Sequence, residues 1–249
     1  MAERVEIFYK SEDGSTWNSE SDGQAWNCVV AAQRYYDQKD WDGAIEMCTR
    51  GLAYNPIYEI TLSLYRGLGL AQYGKGDIDA AIATFNVPIK DPANRMGFTN
   101  AKYFTGNLRT NAVSIYFNRG VAYQDKGMKE NAIADYKTCI AFCDVYQDEK
   151  NIAKYRDAVG ENIAKIESSI LVDQGLAAYQ AKDYAKAVEL WKKAADMGHT
   201  GAMNNLANCN LNGWGVPKDK DKAYEWWKKA AALGHKVSQD YLTKNGIKW

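Results

Sequence analysis

Along most of this chain apolar residues recur three and four positions apart, the spacing of one helix face, and they do so in blocks that return. One pattern occupies Ala25 to about Tyr58, Leu62 to about Arg95, and Val113 to about Tyr146. Aligned from those starts, a small residue stands eight positions in: Ala32, Gly69, Gly120. An Ala-Ile pair follows twenty positions in, at Ala44-Ile45, Ala81-Ile82 and Ala132-Ile133. Four residues on stand Cys48, Phe85 and Tyr136, then Leu52, Ile89 and Ile140. A new helix opens at Asp40-Trp41, Asp77-Ile78 and Met128-Lys129. Each block therefore predicts a helix, a short turn and a second helix, the small residues letting the two approach and the larger apolar ones filling the gap.

The second block starts 37 residues after the first, and the third 51 after the second. The excess falls in about 91–111, where Asp91-Pro92 and Gly97 break helix and Asn and Thr favour turns. An insertion is expected there, carrying Arg95, Phe98, Tyr103, Phe104 and Arg109 and closing over or blocking a ligand site. A different repeat follows. Ala187–His199 (AVELWKKAADMGH) returns as Ala223–His235 (AYEWWKKAAALGH), a step of 36, with NGWGVPKD at Asn212–Asp219 before the second copy. Ile152, Tyr155, Ala158, Val159 and Ile163 predict a connecting helix within 147–169, and Ser238–Leu242 begins a capping helix. Residues 1–24 precede the repeats. Val5, Ile7 and Tyr9 alternate with Glu6, Phe8 and Lys10 ahead of a Glu12–Gly14 turn signal, so a short strand is open there. The favoured reading is a polar tail packed loosely on the first hairpin.

The three blocks at 25–146 resemble tetratricopeptide repeats, whose period is about 34 residues. Pro56 stands where that family ends a helix, and YFNRGVAYQDKGMKENAIADY is the clearest match. The motif around Gly213-Trp214-Gly215-Val216, with Trp227 and Gly234-His235, resembles the Sel-one-like repeat, a longer relative of the same hairpin, which covers 170–249 with its cap. The first copy departs from it, having a short turn at Lys182-Asp183. Together these resemblances imply an all-α protein, a right-handed α-solenoid of antiparallel helix hairpins, tetratricopeptide-like and then Sel-one-like.

Charge and chemistry narrow the function. Lys+Arg and Asp+Glu are both 31, a balance that argues against a nucleic-acid binder. The first 50 residues hold five basic and ten acidic groups, net −5, and residues 201–249 eight and four, net +4. Two differently solvated faces explain this; head-to-tail self-association is the other reading. No apolar run approaches the roughly 18 residues of a membrane helix, and the first residues lack a secretory signature. Five scattered cysteines read as reduced, buried thiols, and the expected compartment is the cytoplasm. The only histidines, His199 and His235, share one slot of the second repeat, so a structural role is expected, a cap on a helix C-terminus. Cys139 and Cys143 lie one helical turn apart and read as packing. No phosphate loop, nucleophile elbow or zinc-protease motif occurs. No catalytic residue, metal site or cofactor is expected, and the chain reads as a non-enzyme.

What the resemblance implies instead is binding. Groove-facing positions of the tetratricopeptide first helix fall on Trp26, Val29, Gln33 and Tyr36, on Ser63, Arg66, Leu70 and Tyr73, and on Ser114, Phe117, Val121 and Gln124. That lining suits an extended peptide or partner helix, with Arg66 pairing a carboxylate. Packing between helices is the competing role for the aromatics. The family's clamp for chaperone C-terminal carboxylates is disfavoured, because its places hold Val29, Gln33, Ser114 and Asn118. The expected function is a protein-interaction adaptor binding a partner protein or peptide in the groove. The alternative is a structural component of a larger complex, binding through outer faces and termini.

Overall fold

The computed structural model describes residues 9–10, 16–17, 19–90, 106–145 and 150–249. Among them are eleven α-helices and one pair of two-residue strands, divided between two compact units, Met1–Val159 and Gly160–Trp249. In the first unit α1 (Glu20–Asp37) packs on α2 (Trp41–Ala53), α3 (Tyr58–Lys75) on α4 (Ile78–Ile89), and α5 (Gly106–Asp125) on α6 (Lys129–Val145). These are the three hairpins the blocks predict. Their first helices also stack, α1 on α3 and α3 on α5. The leading segment departs from the favoured tail: β1 (Tyr9–Lys10) pairs antiparallel with β2 (Thr16–Trp17), Tyr9 opposite Trp17, both against α1. Of the expected insertion, Gly106–Asn111 are the first turns of α5; Arg95, Phe98, Tyr103 and Phe104 lie outside the described residues.

The connector and the next repeat helix are one helix, α7 (Lys150–Gln180), 31 residues long, of which the part from Gly160 belongs to the second unit. There it is followed by α8 (Tyr184–Asp196), α9 (Thr200–Asn212), α10 (Lys220–Ala232) and α11 (Lys236–Lys244).

Local chemistry sets these boundaries. Asp40, Asp77 and Asp183 cap α2, α4 and α8, each carboxylate accepting a backbone N–H three residues on at 3.0–3.1 Å, worth about 1 kcal/mol apiece. The histidines are caps too, but of the opposite end from that expected. Nδ1 of His199 accepts from Ala202 N at 3.3 Å and that of His235 from Ser238 N at 3.3 Å, so they cap the starts of α9 and α11. The reason is the preceding glycine: Gly198 and Gly234, at φ +86° and +87°, turn the chain so that the imidazole faces the next helix's free N–H groups.

Between paired helices one register recurs. Gly69, Gly120 and Gly175 each lie sixteen residues before the aromatic that fills their hollow: Phe85, Tyr136 and Trp191. A Cβ at those glycines would stand 2.3, 2.7 and 2.4 Å from the respective ring. The first hairpin holds Ala32 and Cys48 at the same places, so the small residue is larger and its partner much smaller. A buried ion pair fastens the third hairpin: Arg119 donates through Nε and Nη2 to the Asp135 carboxylate at 2.8 and 2.6 Å, and through Nη1 to Asn86 Oδ1 on α4. Burial opposes the guanidinium's charge, but its bonds to Asp135 prevail and hold it above its ordinary value.

Candidate functional site

Where α1, α2 and α3 meet, Ala32 and Cys48 stand at the floor of a cleft that Gly67 also borders. Around it the structure gathers Val29, Gln33 and Tyr36 from α1 with Ser63, Arg66 and Leu70 from α3. They meet because positions four, or three and four, apart share one helix face, and because α1 and α3 stack side by side. The cavity volume is about 40 Å³. At ~10–15 Å³ for each water-sized occupant, that is room for a carboxylate or the tip of a side chain, and far too little for a helix.

The cleft walls are tied down. Tyr36 meets Trp41 edge-on, ring centroids 5.2 Å apart. Gln33 donates to Asp37 at 2.8 Å, and Ser63 accepts from Asn111 Nδ2 on α5 at 2.7 Å. Arg66 is the exception. Its Nε is fully buried and has no hydrogen-bond partner among the described residues, although a guanidinium carries five donors in a fixed fork. Cys48 supplies no counter-charge: burial pushes its thiol up to about 12, the effect of Cys28 adding to this and the Arg66 charge only partly opposing it. The arrangement is a half-desolvated cation facing a small, otherwise neutral cavity, and the chemistry it offers is recognition of an anion by charge-assisted hydrogen bonds.

The other expected groove residues lie elsewhere. Trp26 packs against the hydrophobic cluster of the first hairpin, which also includes Ile60 and Leu64. Tyr73 donates from its hydroxyl to Asp125, which with burial raises the phenol to about 12. Phe117 sits 5.9 Å from Tyr136 and 5.2 Å from Tyr155, ring to ring. Gln124 accepts from the Tyr136 hydroxyl at 3.1 Å, and Val121 is half-buried on the same helix. Ser114 is buried and accepts from Asn118. The third hairpin's positions thus serve packing and internal hydrogen bonds, while five of the ten leading candidates converge on the cleft: Val29, Gln33, Tyr36, Arg66 and Leu70. Sequence reasoning left out Ala32, Cys48 and Gly67; the missing signal was the absence of an aromatic at 48.

Elsewhere, among the described residues, no three His, Cys, Asp or Glu side chains are grouped to hold a metal ion, and no helix is long and apolar enough to cross a membrane. All five cysteines are buried and free.

Stacked hairpins with a recurring small-to-aromatic register define a helical-repeat protein. The particular repeats are identified by family models: the tetratricopeptide repeat matches residues 29–94 and 113–143, and the Sel1 repeat matches 173–199 and 200–235. The chain carries tetratricopeptide repeats with Sel1 repeats C-terminal to them. Both families are in general non-enzymatic scaffolds for protein interaction. No curated protein matches the chain. Among solved structures, the MamA protein is 18% identical with a TM-score of 0.43, covering 91% of this chain and 97% of its own. The complex of the yeast Sti1 TPR2AB domain with pHSP90 is 15% identical at 0.43, covering 88% and 84%. A Sel1 repeat protein from Oxalobacter formigenes is 19% identical at 0.35, covering 72% and 86%.

Proposed function

We propose that the chain is a protein-interaction adaptor whose first unit captures an extended peptide on the α1–α3 face, seating a carboxylate of that peptide in the cleft against Arg66. The observation that carries this reading is the buried, unpartnered Nε of Arg66 beside a cavity of about 40 Å³. Leaving a buried donor unmade costs about 1–3 kcal/mol, and the same guanidinium lines the cavity, so an anion seated there meets its positive charge. The small volume selects an extended chain over a docked helix for the cleft itself; Val29, Tyr36 and Leu70 offer the adjoining apolar contact. A cytoplasmic setting belongs to this reading, since five unpaired thiols suit a reducing compartment.

The test compares wild type with a Tyr36→Ala, Arg66→Glu variant in affinity capture from the native cell, followed by titration of the captured partner's acidic or C-terminal peptide. Charge-assisted hydrogen bonds are worth about 1.5–3 kcal/mol, so a folded variant should bind roughly tenfold to a hundredfold more weakly. Equal capture by both proteins would refute the cleft and leave the outer faces and termini as the working surfaces.

A further inference from the structure

Asparagine stands directly before glycine twice in the chain, at Asn212-Gly213 and Asn245-Gly246, and both pairs are exposed to solvent. That dipeptide carries chemistry of its own. The backbone nitrogen that follows an asparagine can attack the side-chain amide, and glycine, having no Cβ, shields that nitrogen least. Both pairs also close a helix, with the glycine in the left-handed region: Gly213 at φ +79° after α9 and Gly246 at +68° after α11.

In the folded chain the reacting groups of both pairs are tied. Asn212 Nδ2 donates to Asn208 O at 2.9 Å and Gly213 N to Cys209 O at 2.8 Å. Asn245 Nδ2 donates to Tyr241 O at 2.8 Å and Gly246 N to Thr243 O at 3.0 Å. Attack at either pair therefore requires its turn to open, and the two turns are held unequally. Helix α9 packs between α8 and α10 and buries Ala202, Met203, Leu206, Ala207, Cys209 and Asn210. The chain beyond it is fastened again: a Cβ on Gly215 would stand 2.3 Å from Tyr184 O, and Asp219 N donates to Asn210 O at 2.8 Å. Helix α11 packs on α10, and its buried residues are Ser238 and Leu242. Local opening is easier where fewer apolar contacts must be broken, so the turn at Asn245 opens more often.

We propose that Asn245 is a self-modification site, deamidated when the last turn of α11 opens, while the fold holds Asn212 back. Gly246 N bonds to Asn245 Cγ and gives up its proton, the Cγ–Nδ2 bond breaks, and ammonia leaves carrying that proton. Water then opens the cyclic imide at either carbonyl, giving aspartate or isoaspartate. Either product removes the donor to Tyr241 O and sets a negative charge at the end of α11, where the free carbonyls already concentrate negative charge. Isoaspartate also lengthens the main chain by one carbon, so the bonds from Gly246 N to Thr243 O and from Ile247 N to Leu242 O lose register. Ile247 packs on the cluster that contains Trp227 and Leu242, and the reaction thereby loosens the cover of that cluster.

The test holds the full chain at pH 8 for days and follows both pairs by peptide mass spectrometry, with aspartate and isoaspartate peptides separated chromatographically. Asn245 should convert at least tenfold faster than Asn212 and yield both acids, whereas in urea the two pairs should react at similar rates. Ile247→Ala loosens the turn without touching the pair and should speed conversion at Asn245 severalfold with Asn212 unchanged. Should that variant unfold, which a rise at Asn212 would report, the comparison with urea decides alone. Asn245→Asp, one of the two products, should unfold at a lower temperature than wild type. No conversion at Asn245, a rate at Asn212 equal to it in the folded chain, the same ratio in urea, a folded Ile247→Ala variant with unaltered rate, or an Asn245→Asp variant as stable as wild type would each overturn the proposal.

Discussion

Replacing Gly175 by alanine isolates the register that spaces the helices. Its Cβ would lie 2.4 Å from Trp191 Nε1 and 2.7 Å from Cδ1, about 1 Å inside the 3.4 Å at which ordinary contact begins. The indole must move, and overpacking of this kind costs about 1–3 kcal/mol. Moving it also strains the bond from Nε1 to Val172 O, now 3.3 Å, and a buried donor left unmade costs about 1–3 kcal/mol more. Against this, alanine gains up to about 1 kcal/mol of helix propensity over glycine. The net expectation is a loss of about 2–4 kcal/mol, a large share of a typical total of about 5–15. The same helix supplies the control. Gly160 would have no atom of the described residues within 4 Å of an added Cβ, so Gly160→Ala collects the propensity gain alone and should stabilise by up to about 1 kcal/mol. Urea unfolding followed by far-ultraviolet circular dichroism and tryptophan fluorescence reads both. Combining Gly175→Ala with Trp191→Phe should recover part of the loss, as neighbouring positions couple. If Gly175→Ala proves as stable as Gly160→Ala, the glycine is not there to admit the ring.

Two further outcomes follow from the interior. Burial raises all five thiols, Cys48 to about 12 and Cys209 to about 11. The folded chain should therefore resist a disulfide reagent at pH 8 and release five reactive thiols only in denaturant. A group whose folded value is raised lends stability that is full below its ordinary 9.0 and is lost as the pH climbs towards 12; for Cys48 the difference corresponds to about 4 kcal/mol. Unfolding temperature should fall steeply above pH 9, and a flat profile to pH 11 would contradict this. Asp135→Ala should cost about 3–5 kcal/mol because it strands the buried Arg119 charge, whereas Arg119→Met with Asp135→Leu should recover most of that in the same denaturation assay.

The repeats were legible in the sequence because their signal is local: Gly69 with Phe85 and Gly120 with Tyr136 fall at a fixed spacing whatever surrounds them. The groove was only half legible. Tyr36 and Arg66 line the cleft, but Phe117 holds a position of similar kind and is taken up by Tyr136 and Tyr155, the latter on α7, a partner that the repeat period does not contain. The histidine caps were read at the wrong end because a Gly-His pair closes one helix and opens the next, and only backbone angles decide which end the imidazole serves.

Cys48 stands where the other hairpins place a ring, and the cleft occupies the room so left. The candidate site is thus specified by a vacancy in the interior, not by an addition to the surface. Tighter packing at position 48 and the proposed ligand capture make opposite demands on that side chain. In an array of near-identical hairpins, recognition can be moved from one repeat to another by exchanging a single core residue, while every exposed side chain stays as it was.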